Sequence, residues 1–532
     1  MFTFSPSQLG GSKPVFVIEF DFGSRTHLYS TDPISIQNQK GDIVDYLPNI
    51  IDFDLVESAD LESVDVEANV LSIALVIEDV DLIQQWIKGE VLDGIEATFS
   101  YVLEKYSVVQ NNDDQKVVLF KGKIQEPQFG DPDQINGYVT MSVEILLDDG
   151  DRLMMDSNKY IDNRFPNRHM DTADGKIWPI FFGTGIAPSY CIKRLSGSTA
   201  EFMIAGHAIK DSSVTITDEL TNAATKTVLS RADNQGNIYS YIEIASADNI
   251  STPSSLGGYL HGESRQWWSS IEGGLRSPYR DGPLELGGDV CRWALSRSGL
   301  RIDDGAWANL SIVLNRYRFA GWINDPQPNP LEWLQANILP LLPVSLIVGV
   351  NGIKPILNQM WALSLVSPII DIEVGDNQSF QQIGMIDTLR PTADLKNQIT
   401  MQYSKSGFDD DYTKLVRVTD TPVESYDIES DYSILSVNRF GRHPQTIRSD
   451  YVFDDSTAKI ICLNLVRSNS MPLYGLEIAS PTEFGWIQIG DVVSISVERY
   501  EMSKQLAIIT KKQWSGSHWI FGLVFESNSI QK

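Results

Sequence analysis

The chain has 532 residues, with 42 Lys and Arg against 70 Asp and Glu, which gives a formal net charge of −28. Charged residues make up 21% and hydrophobic residues 42%, which excludes both a disordered acidic tail and a chain of membrane spans. A surface this negative repels phosphate and so excludes general nucleic-acid coating; at about 150 residues per domain, the length predicts three or four domains.

The three cysteines, Cys191, Cys291 and Cys462, lie far apart and form neither a disulfide framework nor a metal cluster. A reduced, intracellular place of synthesis is expected. Met1 to Gly11 carries no basic n-region and no apolar h-region, so no secretory signal is expected. The most apolar stretch, Ile338 to Val350, contains Pro340 and Pro343 and falls short of the roughly 20 residues a spanning helix needs. It reads as core, and no membrane anchor is expected.

The first block reads with a period of two. Ile51-Asp52-Phe53-Asp54-Leu55 alternates apolar and acidic, and Val64-Asp65-Val66-Glu67 repeats the pattern. Alternation sends apolar side chains to one face and carboxylates to the other, as in a half-buried antiparallel strand. Further strands are predicted at Leu71 to Ile77, Ala97 to Leu103, Lys116 to Ile124 and Tyr138 to Leu147, with a hairpin loop at Gln110 to Asp114. Leu82, Ile83, Trp86 and Ile87 share a helical stripe that Lys88-Gly89 ends. From Asp42 to Glu67 there is no Lys or Arg; the segment is either a solvated strand face or a surface built to face something anionic.

The second block, about Thr184 to Gly258, is rich in Ser, Thr and Asp, with strands at Val214 to Thr217 and Ile238 to Ile244, a turn at Asp233 to Asn237, and a linker-like stretch from Asn249 to Gly258. The third block carries helices. Leu286, Val290, Trp293 and Ala294 share a face, with Asp289 as N-cap for the later part and Gly299 as stop. Asn329-Pro330 opens a second helix through Leu331, Trp333, Leu334 and Ile338 that stops at Pro340, and two strands follow with a turn at Asn351-Gly352. From about Ile370 the chain returns to strands: Gln398 to Tyr403, then a four-strand meander of Trp486 to Ile489, Val492 to Val497, Leu506 to Lys511 and Trp519 to Phe525, with turns at Gly490-Asp491 and Ser515 to Ser517. The apolar run Ala458 to Val466 fits a helix or a strand equally.

Catalytic signatures are sparse. The six histidines (His27, His169, His207, His261, His443 and His518) form no HxH, HExxH or HxxxH pattern, so no metal or other cofactor is expected. Asp148-Asp149 precedes Gly150, Asp303-Asp304 precedes Gly305, and Asp409-Asp410-Asp411 follows Gly407; these read as turns before they read as an acid/base pair. Gly183-Thr184-Gly185 lacks the residues of a phosphate loop, and no GxSxG elbow occurs. Trp267, Trp268, Trp293, Trp307, Trp322, Trp333 and Trp361 concentrate in the third block and read as core or subunit contact ahead of ligand stacking.

As an ordered set these motifs resemble the hub and tip proteins of bacteriophage tails. Lys176-Ile177-Trp178-Pro179-Ile180-Phe181-Phe182-Gly183, after a strand-rich block, is similar to their "P-I-x-F/Y-G" junction, departing from it in its paired phenylalanines. Ile204-Ala205-Gly206-His207 and Gly236-Asn237-Ile238-Tyr239 resemble their β-rich insertion. Ile323-Asn324, Pro330 to Leu334 and Leu341 to Val344 resemble their central helix-containing module, and Gly490-Asp491-Val492-Val493 their closing barrel hairpin.

The resemblance implies a mainly β fold with an α+β module: a first tube-like β-barrel (1–183), a β-rich insertion (184–265), an α+β domain (266–369) and a second tube-like barrel (370–532). It further implies a structural, non-catalytic homotrimer in the virion, at the tail tip or baseplate. Such a trimer joins the tail tube or a distal tail protein to spike or fibre proteins and encloses the path of DNA and tape-measure protein. In that setting Asp42, Asp45, Asp52 and Asp54 are the candidate lumen-facing residues, since a conduit should repel DNA rather than hold it. The alternatives are a glycan-cleaving tail enzyme, drawn from the acidic residues and the aromatic centre, and a receptor- or sugar-binding tail protein.

Overall fold

The computed structural model describes residues 13–22, 26–37, 42–61, 71–77, 94–104, 116–129, 139–146, 160–161, 164–165, 175–196, 199–209, 213–217, 223–245, 267–271, 275–298, 301–323, 329–376, 378–405 and 411–526. The fold is mainly β with an α+β module. Among the described residues no helix is long and apolar enough to cross a membrane. The predicted stripe at Leu82 to Ile87, the repeat at Val64 to Glu67, the loop at Gln110 to Asp114, the linker at Asn249 to Gly258, Asp148-Asp149 and Asp409-Asp410 lie outside the described residues.

In the first block the strands run Thr26–Ser30, Lys13–Asp21, Glu96–Glu104, Val117–Phe129, Val139–Leu146, Leu71–Ile77 and Ile50–Ser58 across one antiparallel sheet. Lys13–Asp21 reads as a continuous apolar run because both of its faces are covered. Phe16, Ile18 and Phe20 enter the main core, while Val15 and Val17 pack under the hairpin Ile34–Gln37/Ile43–Tyr46 through Ile34, Ile36 and Tyr46.

The acidic strand Ile50–Ser58 departs from strict alternation. Ile50 pairs with Leu75 but Asp52 pairs with Ala74, so the intervening Ile51 is bulged and 56% exposed. Phe53 and Leu55 keep the inward face, and Phe53 meets the rings of Phe16 and Phe99 at 4.5 and 5.1 Å. Ile51, expected inside, is outside because a bulge resets the two-residue period.

The last block does not stand apart from the first. The long strand Met502–Trp514 pairs with Val492–Val497 and Trp519–Glu526, and its end joins the acidic strand: Lys511 opposite Ser58, Lys512 opposite Glu57, Gln513 opposite Val56. The result is one 13-stranded sheet ending at Thr26–Ser30 and at Gln381–Arg390. One apolar core serves both blocks, with Trp514 5.0 Å from Phe16 and Trp519 6.1 Å from Tyr101.

Trp486 to Ile489, expected as a strand, is a turn. Ile487 N–H donates to the Phe484 carbonyl (3.0 Å) and Gln488 N–H to the Asp491 carboxylate (2.7 Å), so local acceptors take the donors a ladder would need. The expected four-strand meander is therefore shorter by its first member.

A compact α/β unit also sits between Arg390 and Leu473, where strands were expected apart from the undecided run Ala458 to Val466. Its four strands are Gln398–Lys405, Tyr412–Thr419, Asp427–Glu429 and Pro444–Arg448, with helices Asp431–Phe440 and Asp455–Asn469. The ambiguous run Ala458 to Val466 is helical. Asp454 caps it by accepting from Thr457 N–H at 2.7 Å, and Ala458, Ile461, Cys462 and Val466 form the buried stripe.

In the α+β module the first helix runs Gly287–Ser298 and buries Val290, Cys291, Trp293, Ala294 and Leu295. Asp289 lies inside its first turn rather than capping it. The carboxylate accepts from Ser277 Oγ (2.8 Å) and Arg280 Nε (2.9 Å), which tie it to the preceding loop. Asn329 caps Pro330–Asn337, accepting from Glu332 N–H at 2.7 Å, and the hairpin Val344–Gly349/Gly352–Leu357 follows as expected. Ile338, Leu339, Leu342, Val344 and Leu346 are buried, so this apolar stretch is core. The insertion forms a separate seven-stranded sheet between Gly185 and Ile271.

Candidate functional site

Asp42, Asp45, Asp52 and Asp54 are all exposed, on two different supports. Asp52 and Asp54 share the outer face of the acidic strand, opposite the half-buried Phe53 and the buried Leu55. Asp42 and Asp45 belong to the hairpin segment that covers the back of Lys13–Asp21. Asp45 Oδ1 accepts from Ser35 Oγ at 2.5 Å, and Asp52 Oδ1 from Phe53 N–H at 2.9 Å. The hairpin is braced by Tyr46, whose hydroxyl donates to the Glu19 carboxylate. The carboxylates therefore form an outward acidic display.

At the seam between the blocks, the structure builds a charged cluster that sequence reasoning missed. Lys512 is 2% exposed, donates to the Gly485 carbonyl at 2.6 Å, and lies 5.0 Å from the Trp519 ring centroid. Burial pushes its pKa down, opposed by Glu57 and Asp491. Burial pushes Glu57 up, opposed by Lys512 and Lys354, and does the same to Asp491. Lys354 Nζ reaches Gln488 Oε1 at 3.2 Å. Four charged side chains from the first block, the α+β module and the last block thus meet where the blocks join. The one sequence signal was a lysine pair, Lys511-Lys512, inside an apolar strand.

A second meeting point is the Lys176 to Gly183 junction. Ile180–Phe182 pairs with Gly321–Ile323 of the α+β module, and the insertion grips it from the other side. Gly206 N–H donates to the Pro179 carbonyl at 2.6 Å, and His207 Nε2 accepts from Phe181 N–H at 3.0 Å. Because Nε2 accepts, Nδ1 carries the proton and donates to the Ala208 carbonyl at 2.9 Å. Burial holds the imidazole pKa below its usual value, consistent with a neutral ring. Both glycines are required: a Cβ on Gly206 would lie 2.6 Å from Trp178 Cβ, and one on Gly183 (φ +71°) 2.5 Å from the Phe319 carbonyl oxygen. The two sequence motifs, more than twenty residues apart, are one interlock.

The carboxylates and aromatics considered for chemistry mostly have structural roles. Asp303 caps Asp304–Asn309 by accepting from Ala306 N–H (3.0 Å), and Asp304 pairs with Arg292. Trp293, Trp307, Trp333 and Trp361 are buried in the module's core, while Trp322 is half-buried; the side chains of Trp267 and Trp268 lie outside the described residues. Cys191, Cys291 and Cys462 are buried, and burial pushes the Cys462 thiol up to about 12. Among the described residues no three His, Cys, Asp or Glu side chains group to hold a metal ion.

No family model matches the chain, and no curated protein matches it by sequence. Among solved structures it is similar to the 43 kDa tail protein of prophage MuSo2 from Shewanella oneidensis, with 8% identity over 96% of this chain and 98% of that one and a TM-score of 0.39. It is also similar to a tail protein from Neisseria meningitidis MC58, with 9% identity over 97% of each chain and a TM-score of 0.37. A third is prophage tail protein gp18 from Listeria monocytogenes EGD-e, with 10% identity over 97% of this chain and 96% of that one and a TM-score of 0.35.

Proposed function

We propose that this chain is a structural component of a bacteriophage tail, a tail hub that assembles as a homotrimer. The observation that carries the reading is the continuous sheet. The first and last strand blocks are fused edge to edge through residues 56–58 and 511–513 over one shared core, so each subunit presents a two-block wall rather than two loosely tethered domains. The sheet's end strand Gln381–Arg390 leaves Met385 75% and Leu389 47% exposed; a strand edge with apolar side chains outward calls for a neighbour. Three such walls side by side would close a ring. The order of sequence motifs supports the same reading, whereas structural similarity at TM-scores below 0.5 adds nothing to it.

In this reading the 1–183 and 370–532 blocks line the ring, the 184–265 insertion and 266–369 module stand outside it, and Asp42, Asp45, Asp52 and Asp54 face the channel. The ring would join the tail tube or a distal tail protein to spike or fibre proteins, with tape-measure protein and DNA passing through without specific binding. The chain would act in the virion without catalysis. Mass measurement of the purified protein and a cryo-EM map of the particle test this. A trimer at the tail end of the particle is expected; a stable monomer absent from the tail would overturn it.

A further inference from the structure

We propose that the outer face of the hairpin Ile34–Gln37/Ile43–Tyr46 docks a cationic amphipathic helix of another protein. The proposal rests on this face alone and not on the tail-hub reading. Alternation along the second strand turns Val44 and Tyr46 toward the sheet beneath and leaves Ile43, Asp45 and, just past the strand, Leu47 outward. Ile43 is 75% exposed and Leu47 50%. Gln37 and Ser35 stand across the ladder from Ile43 and Asp45, and Asp42 is exposed next to Ile43. The face is therefore an aliphatic, a carboxylate and an aliphatic in line, with polar groups along one side.

This face is held rigid from below. Ile34, Ile36 and Tyr46 pack on Val15 and Val17. The Tyr46 hydroxyl donates to the Glu19 carboxylate, which also accepts from Lys116 Nζ at 2.5 Å. Leu47 is fixed through its backbone: its N–H donates to the Leu28 carbonyl at 3.1 Å, and its carbonyl accepts from Ser30 N–H at 2.7 Å and Asn49 N–H at 2.8 Å. A surface ordered in advance loses little conformational entropy when a partner is seated on it.

Two properties of the face select the partner. Repelling an anion needs only the carboxylates; two large aliphatics standing in water on the same line add nothing to repulsion, whereas covering them recovers about 25 cal/mol per Å². The carboxylates in turn disfavour a second copy of this chain, with its net charge of −28, and any anionic lipid surface. A partner that is both cationic and apolar satisfies the whole face. Its spacing favours a helix. Ile43 and Leu47 lie four strand residues apart, about 13 Å, with Asp45 midway. Helix positions i, i+4 and i+8 succeed one another along one side over about 12 Å. Apolar residues at i and i+8 with Lys or Arg at i+4 therefore meet Ile43, Leu47 and Asp45 in a single alignment.

Fluorescence anisotropy on the full chain tests this with a labelled helical peptide that carries Leu at i and i+8 and Arg at i+4. It is expected to bind at least tenfold more tightly than the same peptide with Glu for Arg, and than a lysine homopolymer of equal charge. Ile43→Ser with Leu47→Ser should weaken binding at least fivefold. Asp42→Asn with Asp45→Asn should weaken it at least threefold and flatten its salt dependence. All four side chains are exposed, so these variants leave the core untouched. Asp371→Asn with Glu373→Asn removes the same charge from an exposed strand face of the last block and should change the affinity little, which separates docking at the hairpin from general attraction to an acidic protein. No binding by the Leu/Arg peptide, equal binding of the lysine homopolymer, unchanged affinity in the Ile43/Leu47 variant, or an equal loss in the Asp371/Glu373 and Asp42/Asp45 variants would overturn the proposal.

Discussion

Lys512→Met tests whether the seam holds the two strand blocks together. The substitution removes a charge-assisted hydrogen bond to the Gly485 carbonyl and a cation–π contact with Trp519, worth roughly 1.5–3 and about 1–2 kcal/mol respectively. It also leaves Glu57 partly buried without the cation opposite it in register. Against this, methionine fills a similar volume and desolvates no charge. The net loss should be about 3 kcal/mol at pH 7.5, at the low end of what breaking a buried pair costs.

The pH dependence has a definite sign. Glu57 is held above its usual value in the folded state, and more so without Lys512. The penalty from its ionisation is therefore present above the raised folded-state pKa and disappears as pH falls below the ordinary carboxylate value. The deficit of Lys512→Met relative to the parent chain should narrow on acidification. Removing the carboxylate as well, in Glu57→Gln/Lys512→Met, should restore at least 1 kcal/mol. Urea unfolding at several pH values, with hydrogen exchange across residues 56–58 and 511–513, measures all of this. A double-mutant coupling below about 0.5 kcal/mol, in the range of independent sites, would refute the argument that these charges act together.

At the junction, His207 gains from being neutral, and its folded-state pKa is lowered. The stability it contributes is present above its ordinary pKa of about 6.5 and is lost as pH falls through the window below it; a thermal-shift pH series should show this, and His207→Phe should flatten it. Gly183→Ala should cost at least about 2 kcal/mol, since it combines φ +71° with a Cβ 2.5 Å from the Phe319 oxygen; an unchanged melting temperature would contradict it. Asp427 receives both Arg417 Nε and Nη2 (2.8 and 2.6 Å) and the amides of Val423 and Glu424, so Asp427→Ala should destabilise the α/β unit by about 2–4 kcal/mol, read from urea unfolding. Asp52→Lys with Asp54→Lys should leave particle assembly largely intact and impair DNA ejection; normal infectivity would remove the lumenal assignment.

What could be read along the chain was what depends on local chemistry. Asn329-Pro330 specified its helix start because cap and proline act within one turn. Leu71 to Ile77 was legible because its length and β-branched content suffice. Ala458 to Val466 resisted because a nine-residue apolar run satisfies both periods, and the capping Asp454 that decides the matter lies outside it. Trp486 to Ile489 failed for a related reason: its donors go to Phe484 and Asp491, a competition that apolar patterning does not express. Asp52 and Asp54 were recognisable as an exposed face from alternation, whereas Asp42 and Asp45 followed only from the acidic run and the resemblance. The Glu57–Lys512 seam was not legible, since it assembles residues brought together only by non-local pairing.

The seam also bears on how the acidic balance is distributed. A chain of net charge −28 repels further copies of itself, so an assembly of three such chains needs attractive contacts that outweigh that repulsion. The structure keeps two of its lysines, Lys354 and Lys512, close to Glu57 and Asp491 at the join within one subunit, while Asp42, Asp45, Asp52 and Asp54 are left outward. Contacts between subunits must then be made where charge is low, and the end strand with Met385 and Leu389 exposed is such a place. Under the tail-hub reading this separates two tasks that a uniformly acidic surface could not combine: apolar edges for neighbours, and carboxylates for the channel. It follows that Met385→Lys with Leu389→Lys should weaken self-association at moderate salt. The Asp52/Asp54 reversal should leave self-association intact, so sedimentation of the two variants distinguishes an edge-driven ring from one held by its acidic face.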